Sequence, residues 1–297
     1  MCGTCGCGTD NNGPIISKPG EENHSQGNQH RGGHSHSHDE HHHHDGHSHS
    51  HEEHHHHDGH SHSHDEHHHH DNHSHSHEHG HQHKVLEIEQ DILQNNQLLA
   101  ARNRGYFEAK NIFALNLVSS PGSGKTTLLE RTLADLKAEI LFYVVEGDQQ
   151  TLNDANRIAA LDVPVIQINT GKGCHLESDV VYDAVKKLNI KDNSVLMIEN
   201  VGNLVCPSMF DLGENKRIVI ISTTEGEDKP IKYPDMFYTS DICIINKIDL
   251  LPYVNIKVEN IKKYALQVNP KLLFFEVSAT TGEGMDGWYQ WLKENIV

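Results

Sequence analysis

Apolar residues are almost missing from the stretch between His24 and His83. A segment with so little to bury cannot offset its own chain entropy, so it is expected to stay disordered without a ligand and adds nothing to a core. Basic residues are also scarce: 24 Lys and Arg stand against 42 Asp and Glu, a formal net charge of -18. That balance argues against a nucleic-acid partner, which calls for a basic face, and is compatible with attracting cations. No uninterrupted apolar run approaches the roughly eighteen residues of a membrane span, and Met1 is followed by Cys, Gly and polar residues rather than by a signal-peptide core. No membrane partner is expected, and a soluble cytoplasmic protein is. Cysteines number six in 297 residues. In a long chain with no export signal they read as thiols or metal ligands rather than as a disulfide framework. Cys243, inside the apolar run that ends at Asn246, reads as core packing.

What the poorly apolar stretch does hold is histidine, with every one of the 30 except His175. The pattern His-Ser-His-Ser-His, two acids, four histidines and Asp-Gly or Asp-Asn starts at His34, His47 and His60 and begins again at His73. No solenoid unit of that length lacks apolar positions, so the repeat is low complexity of the metal-binding type. Three segments follow: an amino-terminal cysteine motif over residues 1–10, a disordered histidine tract over 11–84, and one folded domain over 85–297.

Val85 to Arg104 shows Leu86, Ile92, Leu93 and Leu98-Leu99 at mixed helical spacing and predicts a helix leading into the domain. Apolar runs at Ile112–Val118, Ile140–Val145, Val163–Ile168, Val195–Ile198, Ile218–Ile221, Ile242–Ile245 and Leu272–Val277 predict strands. Amphipathic stretches at Thr126–Lys137, Leu152–Leu161, Leu176–Leu188, Ile256–Gln267 and Gly284–Asn295 predict helices between or after them. Continuous apolar strands alternating with helices give an α/β fold: a mostly parallel sheet covered on both faces.

Ser119-Ser-Pro-Gly-Ser-Gly-Lys-Thr126 follows a predicted strand and opens a predicted helix, the context that a phosphate-binding loop requires. Its backbone N–H groups, through Gly122, Ser123, Gly124, Lys125, Thr126 and Thr127, would wrap phosphates at the helix amino terminus. Lys125 would stand near the β and γ phosphates and Thr126 on Mg2+. Ser119 replaces the first glycine of the general pattern. Asn246-Lys-Ile-Asp249 ends a later buried strand. Asp249 would accept two hydrogen bonds from guanine N1 and N2, which adenine cannot supply, while Asn246 and the Lys247 stem hold the base and the loop. Ser278-Ala279-Thr280 completes the base pocket, with the Ala279 N–H as donor to guanine O6. The nucleotide is therefore GTP.

Glu146-Gly-Asp148 and Glu199-Asn-Val-Gly202 end two further strands. Asp148 and Glu199 are candidates for the metal-water shell of the γ phosphate and, with Lys125, for the catalytic set. No catalytic glutamine or arginine finger can be located, although Arg157 and Gln149 lie nearby, so slow GTP hydrolysis is expected unless a partner supplies the group. Cys2-Gly-Thr-Cys5-Gly-Cys7 packs three thiols around glycines, and the α-amine completes a nitrogen–sulfur set that suits planar Ni2+. Cys174-His175 and Cys206 are expected to converge at strand ends on one ion, with a position open or filled by a second subunit.

These residues closely resemble the hydrogenase nickel-incorporation GTPases, the HypB family, across the folded domain and the amino-terminal Cys2, Cys5 and Cys7. The resemblance implies a SIMIBI-class P-loop fold and GTP-dependent homodimerisation. It also implies nickel delivery to the large subunit of [NiFe] hydrogenase alongside a small zinc-binding accessory protein. It places domain metal ligands on Cys174, His175 and Cys206 and nickel ligands on Cys2, Cys5 and Cys7. Whether the domain site takes Ni2+ or Zn2+ is left open. Related urease accessory GTPases have proline between the corresponding cysteine and histidine, and here the two are adjacent. A metal-storage protein with a regulatory nucleotide domain and a small-molecule kinase are the alternatives, and Asn246–Asp249 speaks against the second.

Overall fold

The structure, a computed structural model, describes residues 14–19, 78–149 and 153–296, without the side chains of 78–88. The thiol motif and nearly all of the histidine tract lie outside these residues. The chain divides into His24–Gln82 and a larger unit of Met1–Asn23 with His83–Val297, which carries the sheet.

In chain order the elements are β1 (Ile15–Ser17), α1 (Glu78–Ala109), β2 (Ile112–Ser119), α2 (Lys125–Leu136), β3 (Phe142–Asp148) and α3 (Asn153–Ala159). They continue with β4 (Val165–Asn169), α4 (Ser178–Leu188), β5 (Ser194–Gly202), β6 (Lys216–Ser222), α5 (Lys229–Lys232) and α6 (Pro234–Tyr238). Last come β7 (Ile242–Asn246), α7 (Val258–Val268), β8 (Leu273–Glu276) and α8 (Met285–Asn295). All seven expected strands are present and join β1 in one eight-stranded sheet of order β1-β4-β3-β5-β2-β6-β7-β8. Every pairing is parallel except that of β1 with β4.

Alternate residues of the strands feed opposite faces, both of them covered, which is why the runs are mostly apolar. Leu115 and Leu117 of β2 meet α2, α3 and α8 in one cluster that includes Leu129, Ile158 and Trp288. Ile112 and Ala114 face the other side, with Phe107 of α1 and Val181 and Val185 of α4. The chain winds away from β2 in both directions, towards β3 and β4 on one side and β6 to β8 on the other. That reversal opens a crevice at the carboxyl end of β2, where ligands of open α/β sheets bind.

The expected helix over Val85–Arg104 is present within α1, which leaves Leu98 68% exposed and Ile92 45%. Its buried face is Asn96, Ala100, Asn103 and Phe107, spaced by four, three and four residues. Asn103 donates to the carbonyls of Ser178 and Leu212, and Asn96 donates to Asp211 O and accepts from Ser178 N–H. The helix is therefore docked by side-chain amides. One expectation is corrected: Ile15–Ser17 falls within the range expected to be disordered, yet it forms β1, with Ile15 opposite Asn169 and Ser17 opposite Gln167. The Lys187 ammonium also donates to Ile16 O at 3.0 Å. Among the described residues no helix is long and apolar enough to cross a membrane.

Candidate functional site

Directly after β2 the chain turns and enters α2 at Lys125. The turn requires glycine at position 124, where φ is 88° and a Cβ would stand 2.5 Å from Asn246 Nδ2. Lys125 Nζ pairs with Glu199 Oε1 at 2.7 Å, and Thr126 Oγ1 donates to the same oxygen at 2.6 Å. The loop thus presents its lysine and threonine to a buried carboxylate at the end of β5, in a cleft of about 360 Å³ also lined by Asp148 and Arg157. Asp148, at the last position of β3, is partly buried. Ser123 Oγ, Glu146 Oε2 and Glu199 Oε2 are buried without a hydrogen-bond partner among the described residues.

Two buried carboxylates against one lysine leave this cleft short of positive charge. Burial pushes the Glu146 carboxyl up to about 9, and the neighbouring Glu199 and Asp148 charges add to the rise. Oxygen donors with unpaired buried lone pairs fit a hard divalent cation such as magnesium. Without a cation, Glu146 stays protonated in the fold to about pH 9 but ionises near 4.5 when unfolded, so it erodes stability as pH rises between those values. Glu146→Gln, which cannot ionise, is therefore expected to raise the melting temperature of chelator-treated, nucleotide-free protein by a few degrees at about pH 8.5, and by less near pH 6.5. Scanning calorimetry at the two pH values checks this, and equal gains would mean that Glu146 ionises normally.

The base-pocket residues gather at the same loop. Asn246 donates to Ser123 O at 3.0 Å and accepts from the Lys247 N–H at 2.8 Å and the Ala279 N–H at 3.2 Å. The Ala279 N–H expected to face guanine O6 thus serves Asn246 here. Lys247, at φ 63°, lays its stem over the loop and donates from Nζ to Gly122 O at 2.6 Å. Asp249 lies in the following 3-10 turn and is partly buried. Ser278 is fully buried and accepts from the Thr281 N–H at 3.1 Å through its hydroxyl. Thr127 lies in the first turn of α2.

The expected convergence of Cys174, His175 and Cys206 is present: one ligand atom from each lies within 4.8 Å of the others. Cys206 is buried and opens a 3-10 turn, Cys206–Met209, a few residues past the end of β5, with Pro207 at its second position. His175 stacks on Phe210 with centroids 3.8 Å apart. Its Nδ1 is 3.6 Å from Cys174 Sγ, and its Nε2 is 3.5 Å from Glu177 Oε1, outside hydrogen-bond geometry. One ring nitrogen on the thiols and the other toward a carboxylate is the arrangement that a ligating imidazole uses. Two thiols and an imidazole form a soft, three-ligand set for Ni2+ or Zn2+ with room for a fourth group. Cys243 is fully buried, and burial pushes its thiol well up, so it is core.

Other groups at the site carried no motif. Asp154 of α3 accepts from Thr126 Oγ1 at 3.3 Å, and Glu225 accepts from Ser120 Oγ. Arg157 is held by Glu130 and Asp154 at the cleft wall, whereas Gln149 turns away to donate to Gly173 O at 3.1 Å. Asp154 and Glu225 stand 28 and 105 residues from their partners in the loop, spacings that no motif records, so only the fold could find them.

A profile of the CobW/HypB/UreG nucleotide-binding domain matches residues 113–276. The hydrogenase maturation factor HypB of Escherichia coli (strain K12) is 55% identical over 210 residues, covering 71% of this chain and 72% of that one. The crystal structure of the Archaeoglobus fulgidus hydrogenase maturation factor HypB is similar with a TM-score of 0.65 at 37% identity, over 69% of this chain and all of the other. That of Helicobacter pylori HypB in complex with nickel gives 0.63 at 40% identity, over 67% of this chain and 94% of that one. With its phosphate loop, its parallel sheet and more than half its length matched, the chain belongs to the CobW/HypB/UreG family of P-loop nucleotide-binding proteins, as one of its HypB hydrogenase maturation factors.

Proposed function

We propose that the chain is a GTP-hydrolysing nickel metallochaperone that loads [NiFe] hydrogenase during maturation. One observation carries the reading: consecutive residues of β5 serve two chemistries, since Glu199 holds Lys125 and Thr126 while Asn200 accepts from the Leu176 N–H beside His175. The nickel complex of a relative at 40% identity supports nickel as the cargo.

In this reading the loop amides from Gly122 to Thr127 bind the phosphates, and Lys125 offsets charge developing on the γ phosphate. Thr126, Asp148 and Glu199 would hold magnesium directly or through water, and magnesium when bound neutralises charge between the β and γ phosphates. Asp249 selects guanine. Arg157 is engaged by Glu130 and Asp154, so hydrolysis is slow in the isolated chain and a second protomer or partner supplies the missing group. The missing fourth ligand of the Cys174–His175–Cys206 cluster supports a homodimer that completes it. A small zinc-binding accessory protein and the hydrogenase large subunit are the onward recipients, in the cytoplasm.

The amino-terminal Cys2, Cys5 and Cys7 bind one Ni2+ tightly in this reading, and the histidine tract of residues 11–84 adds several weaker imidazole sites as a reserve. Zn2+ is a competitor at the domain cluster. Nickel titration of the full chain and of a chain lacking residues 24–83 tests the division. Deletion is expected to lower stoichiometry and spare the tight site, and loss of the tight site with the tract would move that site to histidine.

A further inference from the structure

The two halves of the thiolate–imidazole cluster come from separate loops, one ahead of α4 and one after β5. A buried polar chain joins them through the core. Leu176 N–H, one residue past His175, donates to Asn200 Oδ1 at 3.2 Å. Asn200 Nδ2 donates to Asn116 Oδ1 at 3.3 Å, and Asn116 Nδ2 donates to Glu214 Oε1 at 3.0 Å. That oxygen also accepts from Arg217 Nε at 3.0 Å. The guanidinium then donates to Ser208 O at 3.1 Å and Phe210 O at 2.7 Å. Ser208 belongs to the turn that begins at Cys206, and Phe210 is the ring on which His175 stacks.

Asn116 and Asn200 are wholly buried, and the Arg217 and Glu214 side chains are 7% and 6% exposed. A buried network of this kind is tolerable only when its members satisfy one another, which fixes their separations. Arg217 can reach two carbonyls, the Thr239 hydroxyl and Glu214 together because its donors are spread over a rigid plane. A lysine offers one point. We infer that Asn116, Asn200, Glu214 and Arg217 are positioning residues for the metal cluster, setting the distance between Cys206 and Cys174–His175 from inside the core. The inference rests on the reading of those three residues as soft-metal ligands. Metal–ligand distances tolerate about 0.2 Å, and loss of groups behind the ligands typically weakens binding about 10- to 100-fold.

The test uses the full chain with Cys2, Cys5 and Cys7 changed to serine. Thiolate-to-nickel charge-transfer absorption then reports Cys174 and Cys206, since histidine has no sulfur and Cys243 is fully buried in the core. Nickel titration against a competing chelator is expected to show about tenfold weaker binding for Arg217→Lys and for the isosteric Asn200→Asp. The two together should lose no more than the larger single loss, because both cut one path. GDP affinity without metal should stay within about twofold. Unchanged nickel affinity in both variants, or an equal loss of GDP affinity and of cooperative melting, would overturn the assignment. If Arg217→Lys fails to fold, Asn200→Asp carries the test. Cys206→Ser is the control: absorption that survives it overturns the ligand reading itself, not the positioning.

Discussion

Asp249→Asn is expected to weaken GTP binding about a hundredfold and to create binding of XTP. The carboxylate only accepts, and guanine N1 and N2 both donate to it. Hydrogen bonds to a charged group contribute roughly 1.5–3 kcal/mol each, and an amide turned toward guanine meets at least one donor with a donor. Two such losses, reduced by rotation of the amide to keep one acceptor contact, correspond to about two decades in affinity. Xanthine presents a carbonyl where guanine has its amine, so the amide pairs with xanthine through both its groups. The change stays local, because Asp249 sits in a turn after β7 while the loop itself is held by Asn246 and Lys247. Competition binding of GTP and XTP to the full chain measures it, with the Mg2+-dependent phosphate contacts common to both nucleotides. A variant that keeps its GTP preference removes Asp249 from the base pocket.

Residues selected by a ligand's own geometry were the ones legible in the sequence. Gly124 is needed because Asn246 lies against its Cα, and the phosphate and base loops fall at strand ends because the sheet leaves its crevice there. The strands were legible because both faces of the sheet from β2 to β7 are covered and most of their positions are apolar, the exceptions being polar groups such as Asn116, Glu199 and Asn200 that serve the site and its supports. What escaped the sequence has no periodicity. Three residues of β1 between polar neighbours give no alternation to read, and α5 and α6 are single turns opened by Pro230 and Pro234. The helix α1 was legible but its buried face was not, because two of its anchors, Asn96 and Asn103, are asparagines, which count as polar in any pattern. Asn116, Asn200 and the Glu214–Arg217 pair lie far apart in sequence and meet only through the register of β2, β5 and β6, which places Asn116 beside both Ile198 and Arg217.

Nickel affinity at Cys174, His175 and Cys206 is expected to differ roughly 5- to 150-fold between the GDP state and a non-hydrolysable GTP analogue, a coupling of about 1–3 kcal/mol. Lys125 and Thr126 both hold Glu199 Oε1, at 2.7 and 2.6 Å. In the proposed reading Lys125 and Thr126 would turn to the γ phosphate and its magnesium, and Glu199 would then re-form its contacts. The next residue, Asn200, carries the Leu176 amide and starts the core chain to Arg217. On the other side, the Cys174 loop hangs from the end of β3, with Thr170 N–H on Asp148 O at 2.9 Å and Gln149 on Gly173 O. Leu176 also packs so closely on Gly147 that a Cβ there would meet it at 2.9 Å. Both carboxylates assigned to the phosphate side are thus within one residue of groups that hold the metal loops, and a shift of some tenths of an ångström is enough to spoil the ligand set. Linkage requires nickel to change GTP-analogue affinity by the same factor that the nucleotide changes nickel affinity. Both directions can be read in the full chain with Cys2, Cys5 and Cys7 changed to serine, by charge-transfer absorption and by nucleotide competition. Equal nickel affinity in the two nucleotide states would sink the coupling, and Cys206→Ala should erase whatever difference the parent shows.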